Sequence, residues 1–264
     1  MSYKVLKEDE RERLNRVFGD LRYIFSLSEI PVGEVEETLK QLKTDEVKDY
    51  IRSLAQGSKP EAALRESFFA GRSVLSRFLF GSTSPEVKTN GFIDYIIEGE
   101  NRRFILLELK SLFEADVEEG KGRKILKKLK QRPLRPDAHT DQILKYIQSG
   151  GEFIILTNLK EWYFFNKNCS PAECVPFHTA DLFNFLEEYY NVGNLWDYLA
   201  RKEFQSIRGG LDKRFFESLK QWVTLLSRVK FVVDDRKKIE LVIGLINKFI
   251  FIQTLDDFYI VNLR

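Results

Sequence analysis

The feature that most constrains this chain is a pair of apolar segments that carry charges near the end of each strand. Residues 91–98 (GFIDYIIE) and 103–110 (RFILLELK) are strand-like, and the GENR between them favours a β-hairpin. The second segment is apolar on both faces before Glu108, so we expect a central strand. Charges at the end of a buried strand are costly unless something compensates for them.

The alternation of side chains along a strand brings three of these charges together. Residues i and i+2 share a face, so Glu108 and Lys110 point the same way. A hairpin centred near Asn101 sets Asp94 opposite Glu108, with Cβ atoms roughly 4.5–5.5 Å apart. Two carboxylates this close repel unless a cation lies between them, and Mg2+ prefers such oxygen ligands. The pattern predicts metal-assisted phosphodiester hydrolysis; the alternative is an ordinary solvated face.

The periodicity of apolar residues predicts an α/β (α+β) fold in three parts. Residues 1–59 have helical spacing, residues 60–194 mix both periods, and residues 195–264 are helical again. In the middle part we predict one helix from Pro60 to Gly81 and another from Asp137 to Ser149. Strands EFIILTN and EWYFFN follow the second helix, and Asp181 is a candidate N-cap of the next one.

A local basic run is the candidate surface for nucleic acid, because the formal net charge of the whole chain is only +2. KGRKILKKLKQRPLR predicts a loop or helix that contacts phosphates without reading sequence. The alternative is a solvated basic helix balanced by the preceding FEADVEEG. The candidate DNA-binding residues are Lys121, Arg123, Lys124, Lys127, Lys128, Lys130 and Arg132.

Other features exclude several classes of protein. The first residues are too polar for a signal peptide, and LVIGLINKFIFI is too short and too interrupted to span a bilayer. Two cysteines make no disulfide framework. Cys169, Cys174 and His178 lack an obvious fourth ligand for zinc, so we expect the two cysteines to be reduced thiols in a loop. We therefore expect a soluble cytoplasmic protein without membrane partners. The abrupt end after an amphipathic helix leaves open whether the chain is part of a longer protein.

Several ordered motifs resemble one nuclease superfamily. Asp94 with Glu108-Leu-Lys110 resembles the D…ExK motif of the PD-(D/E)xK nucleases, although Ile93 stands where the superfamily name has proline. DQILKYIQSGGEFIILTN is similar to their Q-x-x-x-Y helix, with Gln142 and Tyr146 in the motif positions. TNLKEWYFFN resembles the TN-x-x-x-W hairpin of endonuclease domains in type IIG-like fused restriction–modification enzymes. KKIELVIGLINKFIFIQTLDDFYIV resembles the helical connector to their methyltransferase.

The resemblance implies a restriction-endonuclease-like core, a mixed β-sheet flanked by helices, and a role for each motif residue. The implied ligands of Mg2+, for which Mn2+ can substitute, are Asp94, Glu108, the carbonyl of Leu109 and Glu66. Lys110 would position or help to deprotonate the attacking water, and Gln142 would fix Lys110 or the scissile phosphate. Tyr146 has either a packing role or a catalytic one.

The implied function is a Mg2+-dependent endonuclease acting on double-stranded DNA, the cleavage module of a restriction–modification enzyme. The sequence has neither the glycine-rich cofactor loop nor the N-P-P-Y-like stretch of a methyltransferase. The resemblance therefore puts the methyltransferase and target-recognition modules beyond Arg264 or on another chain. Two alternatives stay open: an inactive DNA-binding or interaction module of the same fold, and a repair or RNA nuclease of the superfamily.

Overall fold

The computed structural model describes most of the chain. The described ranges are 7–70, 73–80, 95–98, 104–120, 123–170, 174–228 and 235–257, and some side chains within them (80, 98, 119–120, 123–124, 208–216, 227, 235–236, 239 and 252–257) are not described. Asp94 and the predicted helix end at Gly81 lie outside these ranges. The chain divides into two compact units, Met1–Glu203 and Phe204–Arg264.

The first unit mixes helices and strands, which confirms the α/β (α+β) fold class. Its helices are α1 (Glu8–Ser26), α2 (Val35–Gln41), α3 (Asp45–Ala55), α4 (Pro60–Leu64), α5 (Val74–Phe80), α6 (Thr140–Gln148), α7 (Leu182–Val192) and the start of α8 (Leu195–Ser227). Its strands are β1 (Glu29–Pro31), β2 (Tyr95–Glu98), β3 (Phe104–Leu109), β4 (Phe113–Gly120), β5 (Arg123–Gln131), β6 (Gly151–Thr157), β7 (Glu161–Asn166) and β8 (His178–Asp181).

A five-stranded mixed sheet forms the centre of this unit, in the order β2-β3-β6-β7-β8. The predicted hairpin is present: β2 and β3 are antiparallel, with Tyr95 opposite Leu107. Strands β3 and β6 are parallel, and the connection between them includes α6. The two predicted strands after α6 are β6 and β7, which pair antiparallel. Strand β3 is therefore central, as its apolar sequence predicts.

Both faces of the central sheet are covered. Side chains alternate between the two faces along each strand, so successive residues of β3 enter different clusters. Ile105, Leu107 and Leu109 of β3 enter a large core cluster that also contains residues of α1, α3, α5 and α7. Leu106 faces the other way, into a small cluster. The small cluster comprises Leu106, Leu134, Ile143, Tyr146, Ile154, Leu156 and Phe165. Helix α6 covers this second face, and this is the face to which Glu108 belongs.

The basic run folds differently from the prediction. We expected a loop or a helix, but Arg123–Gln131 is strand β5, which pairs with β1 and β4 in a separate three-stranded sheet. The charged residues of β4 are acidic and those of β5 are basic, and the register sets Glu114 opposite Lys130 and Asp116 opposite Lys128. Cross-strand pairs of opposite charge stabilise such a sheet. The prediction of a loop or helix did not take this pairing between the acidic and the basic segment into account.

Two predicted helices are only partly continuous. The segment starting at Pro60 is α4, followed by a single π-helical stretch at Arg65–Phe69 and, after Ala70 turns to extended backbone, by α5. The helix predicted from Asp137 begins as a 3-10 turn and becomes α6 at Thr140. Its predicted glycine stop is present, since Gly150 has a φ of 93° that favours glycine. Asp181 caps α7 as predicted, accepting from Phe183 N and Asn184 N at 2.9 and 3.0 Å.

The boundary between the two units differs from the three predicted parts. The N-terminal helices share the large core cluster with the central sheet, so residues 1–59 and the core belong to one unit. The second unit comprises the rest of α8 and α9 (Asp235–Asp257). It buries Val242 and Ile246 and exposes Phe249 and Phe251. None of the described helices combines the length and apolar character needed to cross a lipid bilayer.

Candidate active site at the end of strand β3

Glu108 is a buried carboxylate that accepts hydrogen bonds from three side chains. The residue is 6% exposed. Its Oε1 accepts from Lys110 Nζ at 2.7 Å and from Gln142 Nε2 at 2.6 Å. Its Oε2 accepts from the hydroxyl of Tyr146. A buried charge is tolerated when it is paired and hydrogen-bonded, so these donors account for a carboxylate at the end of a buried strand.

Lys110 stands between two carboxylates. Its Nζ lies 2.7 Å from Glu108 Oε1 and 3.8 Å from Oε1 of Glu61 in the first turn of α4. Its side chain is 15% exposed. Its backbone N donates to the carbonyl of Thr157 at 2.8 Å, which ties the end of β3 to the end of β6. Lys110 is therefore held in place through both its ammonium group and its backbone amide.

Helix α6 supplies two of the three donors because of its amphipathic sequence. Ile143 and Tyr146 are buried in the small cluster, which turns one face of the helix onto the sheet. Gln142 and Tyr146 are four residues apart and so lie on neighbouring turns, and Gln142 Nε2 also donates to the Tyr146 hydroxyl at 2.8 Å. The spacing of the Q-x-x-x-Y motif thus has a physical basis in this chain: both side chains reach Glu108.

The turn between β6 and β7 fixes the other side of the site. Asn158 Oδ1 accepts from Glu161 N at 2.8 Å, and the hydroxyl of Thr157 donates to the carbonyl of Glu161 at 2.8 Å. Leu159 adopts a φ of 76°, and its carbonyl accepts from Trp162 Nε1 at 2.9 Å. The T-N-x-x-x-W pattern is therefore a self-bonded turn, and it anchors the Thr157 carbonyl that holds Lys110.

The structure brings some predicted site residues together and not others. One cluster contains Glu108, Lys110, Gln142 and Tyr146. Leu109 is adjacent to it, but its side chain is buried in the large core cluster, so only its backbone carbonyl is a candidate metal ligand. Asp94 lies outside the described residues. Its predicted position opposite Glu108 requires the register in which Tyr95 pairs with Leu107, and the hairpin has this register.

The acid of the preceding helix that approaches Lys110 is Glu61 rather than Glu66. Glu66 is exposed on the π-helical stretch and forms none of the salt bridges found among the described residues. Glu61 is half exposed and lies one residue after Pro60. Sequence reasoning passed over Glu61 because the π-helical stretch changes which side of the segment each residue faces, and this stretch has no clear sequence signal.

His139 lies at the start of α6 beside a cavity of about 630 Å3. The cavity is also lined by Asp141, Gln142, Lys145 and Tyr146, and two of these, Gln142 and Tyr146, donate hydrogen bonds to Glu108. Partial burial lowers the pKa of His139, and the positive charge of Lys110 lowers it further. His139 precedes the Gln142 helix in the sequence, and in the structure it is close enough to Lys110 for the ammonium charge to act on its imidazole.

A divalent cation fits this site only in part on the described residues. Mg2+ usually binds through one or two carboxylates and keeps several waters. Glu108 offers one carboxylate, and Glu61 approaches the same ammonium. Across the described ranges no group of three or more His, Cys, Asp or Glu side chains gathers in a metal-binding arrangement. Glu108 could hold such an ion with water ligands only if one of the donors to its Oε1 turned aside. Asp94, the second predicted carboxylate, lies outside the described residues.

Three of the four predicted DNA-binding residues whose side chains the structure describes form ion pairs. Lys127 pairs with Glu118 at 2.6 Å, Lys128 with Glu29 at 2.8 Å, and Arg132 with Glu114 at 2.9 Å. Lys130 is exposed and forms no salt bridge with a described residue. Lys121 and the side chains of Arg123 and Lys124 lie outside the description. The local positive charge that the run predicts is thus partly neutralised by its neighbours.

The comparisons with known proteins are negative. No protein-family model, no curated protein and no solved structure matches this chain. The nuclease resemblance therefore stays a prediction, and the arrangement around Glu108 is the basis on which a function can be argued.

Proposed function

We propose that the chain is a Mg2+-dependent DNA endonuclease domain. The observation that carries the proposal is the convergence of Lys110, Gln142 and Tyr146 on the buried carboxylate of Glu108. These residues come from a strand end and from a helix far along the chain, and they are the motif residues of the nuclease resemblance. A buried charged group with such specific side-chain partners is a candidate for catalysis.

Each side chain has a distinct part in the proposed reaction. Bound Mg2+ would supply Lewis-acid stabilisation of the charge that develops on the phosphate. Glu108 would hold the cation together with Asp94, and Glu61 is a better candidate than Glu66 for a supporting carboxylate. Lys110 would orient the attacking water, since its ammonium is fixed within reach of both acids. Gln142 would keep the Glu108 carboxylate in one orientation.

The biological setting belongs to the same proposal. The resemblance favours the cleavage module of a restriction–modification enzyme in the cytoplasm, acting on double-stranded DNA. Methyltransferase and target-recognition modules would then be supplied beyond Arg264 or by another chain. Of the predicted DNA-binding residues whose side chains are described, Lys130 is the one that is exposed and forms no salt bridge with a described residue, so it is the candidate for a phosphate contact.

The test is plasmid nicking in Mg2+ or Mn2+, with matched variants. Lys110→Ala and Glu108→Gln should each reduce the nicking rate by at least 100-fold while circular dichroism stays native. Lys40→Ala and Glu37→Gln are the controls, because they alter a lysine–glutamate pair that is exposed on α2. These two should cut like the unmodified chain.

Metal binding gives a second readout that does not depend on finding the right DNA. Isothermal titration with Mn2+ should show a site that Glu108→Gln and Asp94→Asn each weaken and that Glu37→Gln leaves unchanged. Nicking that persists in Lys110→Ala, or Mn2+ binding that is indifferent to both acids, would refute the nuclease proposal. DNA binding without Mn2+ binding would instead favour the inactive DNA-binding module.

A further inference from the structure

Two thiols lie in contact in the loop between β7 and β8. The Sγ atoms of Cys169 and Cys174 are 2.7 Å apart, and both cysteines are free and only partly buried. A disulfide bond is about 2.05 Å long, so the sulfurs need to move by less than 1 Å to become bonded. Both thiols also remain within reach of a small reagent, because neither is enclosed in the core.

The surroundings of the pair argue against a metal site. His178, the third residue of the C-x4-C-x3-H pattern, makes a 2.9 Å hydrogen bond through Nε2 with the hydroxyl of Tyr198 and stacks on Phe164. Within the described residues no third His, Cys, Asp or Glu joins the two cysteines in a metal-binding group. Two thiols without a third ligand suit covalent chemistry between themselves better than zinc.

We propose that Cys169 and Cys174 are an oxidative modification site that forms a reversible intramolecular disulfide by exchange with a low-molecular-weight disulfide. In the first step a thiolate of the pair attacks one sulfur of the small disulfide. The small S–S bond breaks, and one small thiol leaves with a proton. In the second step the remaining cysteine attacks the mixed disulfide and releases the second small thiol. Two protein thiols are oxidised, and one small disulfide is reduced to two thiols.

The contact between the two sulfurs favours the second step, because the remaining thiol already touches the sulfur that it must attack. Burial, together with the neighbouring Cys174 sulfur, raises the pKa of the Cys169 thiol to about 12, which slows attack by Cys169 near neutral pH.

The disulfide would close the loop on itself, beside the small cluster. Both cysteines pack against the small cluster, which also contains Ile143 and Tyr146 of α6. The bond closes a loop of only six residues, so its entropic stabilisation is modest. For a unit of this size the expected gain in Tm is roughly 4–8 °C.

The experiment uses the full chain treated with oxidised glutathione and then with dithiothreitol. Mass spectrometry should show a loss of two hydrogens with no glutathione attached, thiol titration should fall from two thiols to none, and dithiothreitol should restore both. Cys169→Ser and Cys174→Ser each remove the partner thiol. Each single variant should therefore keep one glutathione on its remaining cysteine, because no second thiol is present to release it.

Two outcomes would overturn the inference. One is a native chain that carries stable glutathione on both cysteines, which would mean that the thiols cannot reach each other. The other is a disulfide that forms only in denaturant or lowers Tm, which would mean that the folded loop does not accommodate the bond. The Cys169→Ser/Cys174→Ser double variant is the control, and its Tm should not respond to the oxidant.

Discussion

Tyr146→Phe removes one hydroxyl from the candidate site and leaves the aromatic ring in place. The ring packs in the small cluster, so the change creates no cavity. The lost hydroxyl donates to Oε2 of Glu108 and accepts from Nε2 of Gln142. The change therefore tests whether the buried carboxylate depends on its helix partner.

The expected cost follows from the charge and the burial of Glu108. A hydrogen bond to a charged group contributes about 1.5–3 kcal/mol, and an acceptor buried without its partner loses at least that much. Glu108 is 6% exposed, so water can replace the hydroxyl only poorly. We expect the free energy of unfolding to fall by about 1.5–3 kcal/mol. For a unit of 150–250 residues this corresponds to roughly 3–12 °C in Tm.

The assay is urea denaturation followed by tryptophan fluorescence, with Tyr163→Phe as the matched control. Tyr163 packs on the same small cluster, but its hydroxyl makes only long contacts of 3.4 and 3.5 Å, to the Leu134 carbonyl and Glu161 Oε1. Its loss should cost less than about 1 kcal/mol. Equal midpoints for the two variants, with unchanged m-values, would refute the argument that Tyr146 supports the Glu108 charge.

Three further outcomes follow from contacts elsewhere in the first unit. Burial and the nearby Lys202 ammonium lower the pKa of His178, so the unfolded chain binds more protons below about pH 6.5. Stability should fall as pH drops from 7.5 to 5.5, and less steeply in His178→Gln, as urea midpoints at each pH will show. Asp20 is buried and accepts two backbone amides and one hydroxyl at the start of α3, so Asp20→Ala should cost about 3 kcal/mol in the same assay. A Cβ at Gly151 would lie 2.9 Å from a side chain of β3, so Gly151→Ala should lower Tm through overpacking of about 1–3 kcal/mol.

The elements that build the candidate site could be predicted because their signals are local. The β2–β3 hairpin follows from alternation around a turn composition, and α6 follows from an amphipathic period that ends at two glycines. The register that the hairpin prediction used is the one that the structure shows. Local sequence patterns were therefore sufficient to predict that Glu108 and Lys110 lie on one face of the sheet and that Gln142 lies on a helix.

The β4–β5 hairpin was missed because its charges were interpreted as a basic helix or loop. Glu114, Asp116 and Glu118 recur at a period of two, and the sequence has glycines at positions 120 and 122, so a strand signal followed by a turn signal was present in the sequence. The dominant basic composition of the next segment obscured it. What no local pattern could supply is the pairing with β1, which lies about a hundred residues earlier in the chain.

Two buried acids of the first unit differ in what their partners are, and this difference bears on function. Asp20 accepts from backbone amides at the start of α3, which the helix would otherwise leave unsatisfied, so the fold itself accounts for that charge. The described partners of Glu108 are all side chains, namely Lys110, Gln142 and Tyr146. Packed apolar residues can replace a buried cluster of this kind without loss of stability. This contrast supports the proposal that the Glu108 cluster serves binding or chemistry.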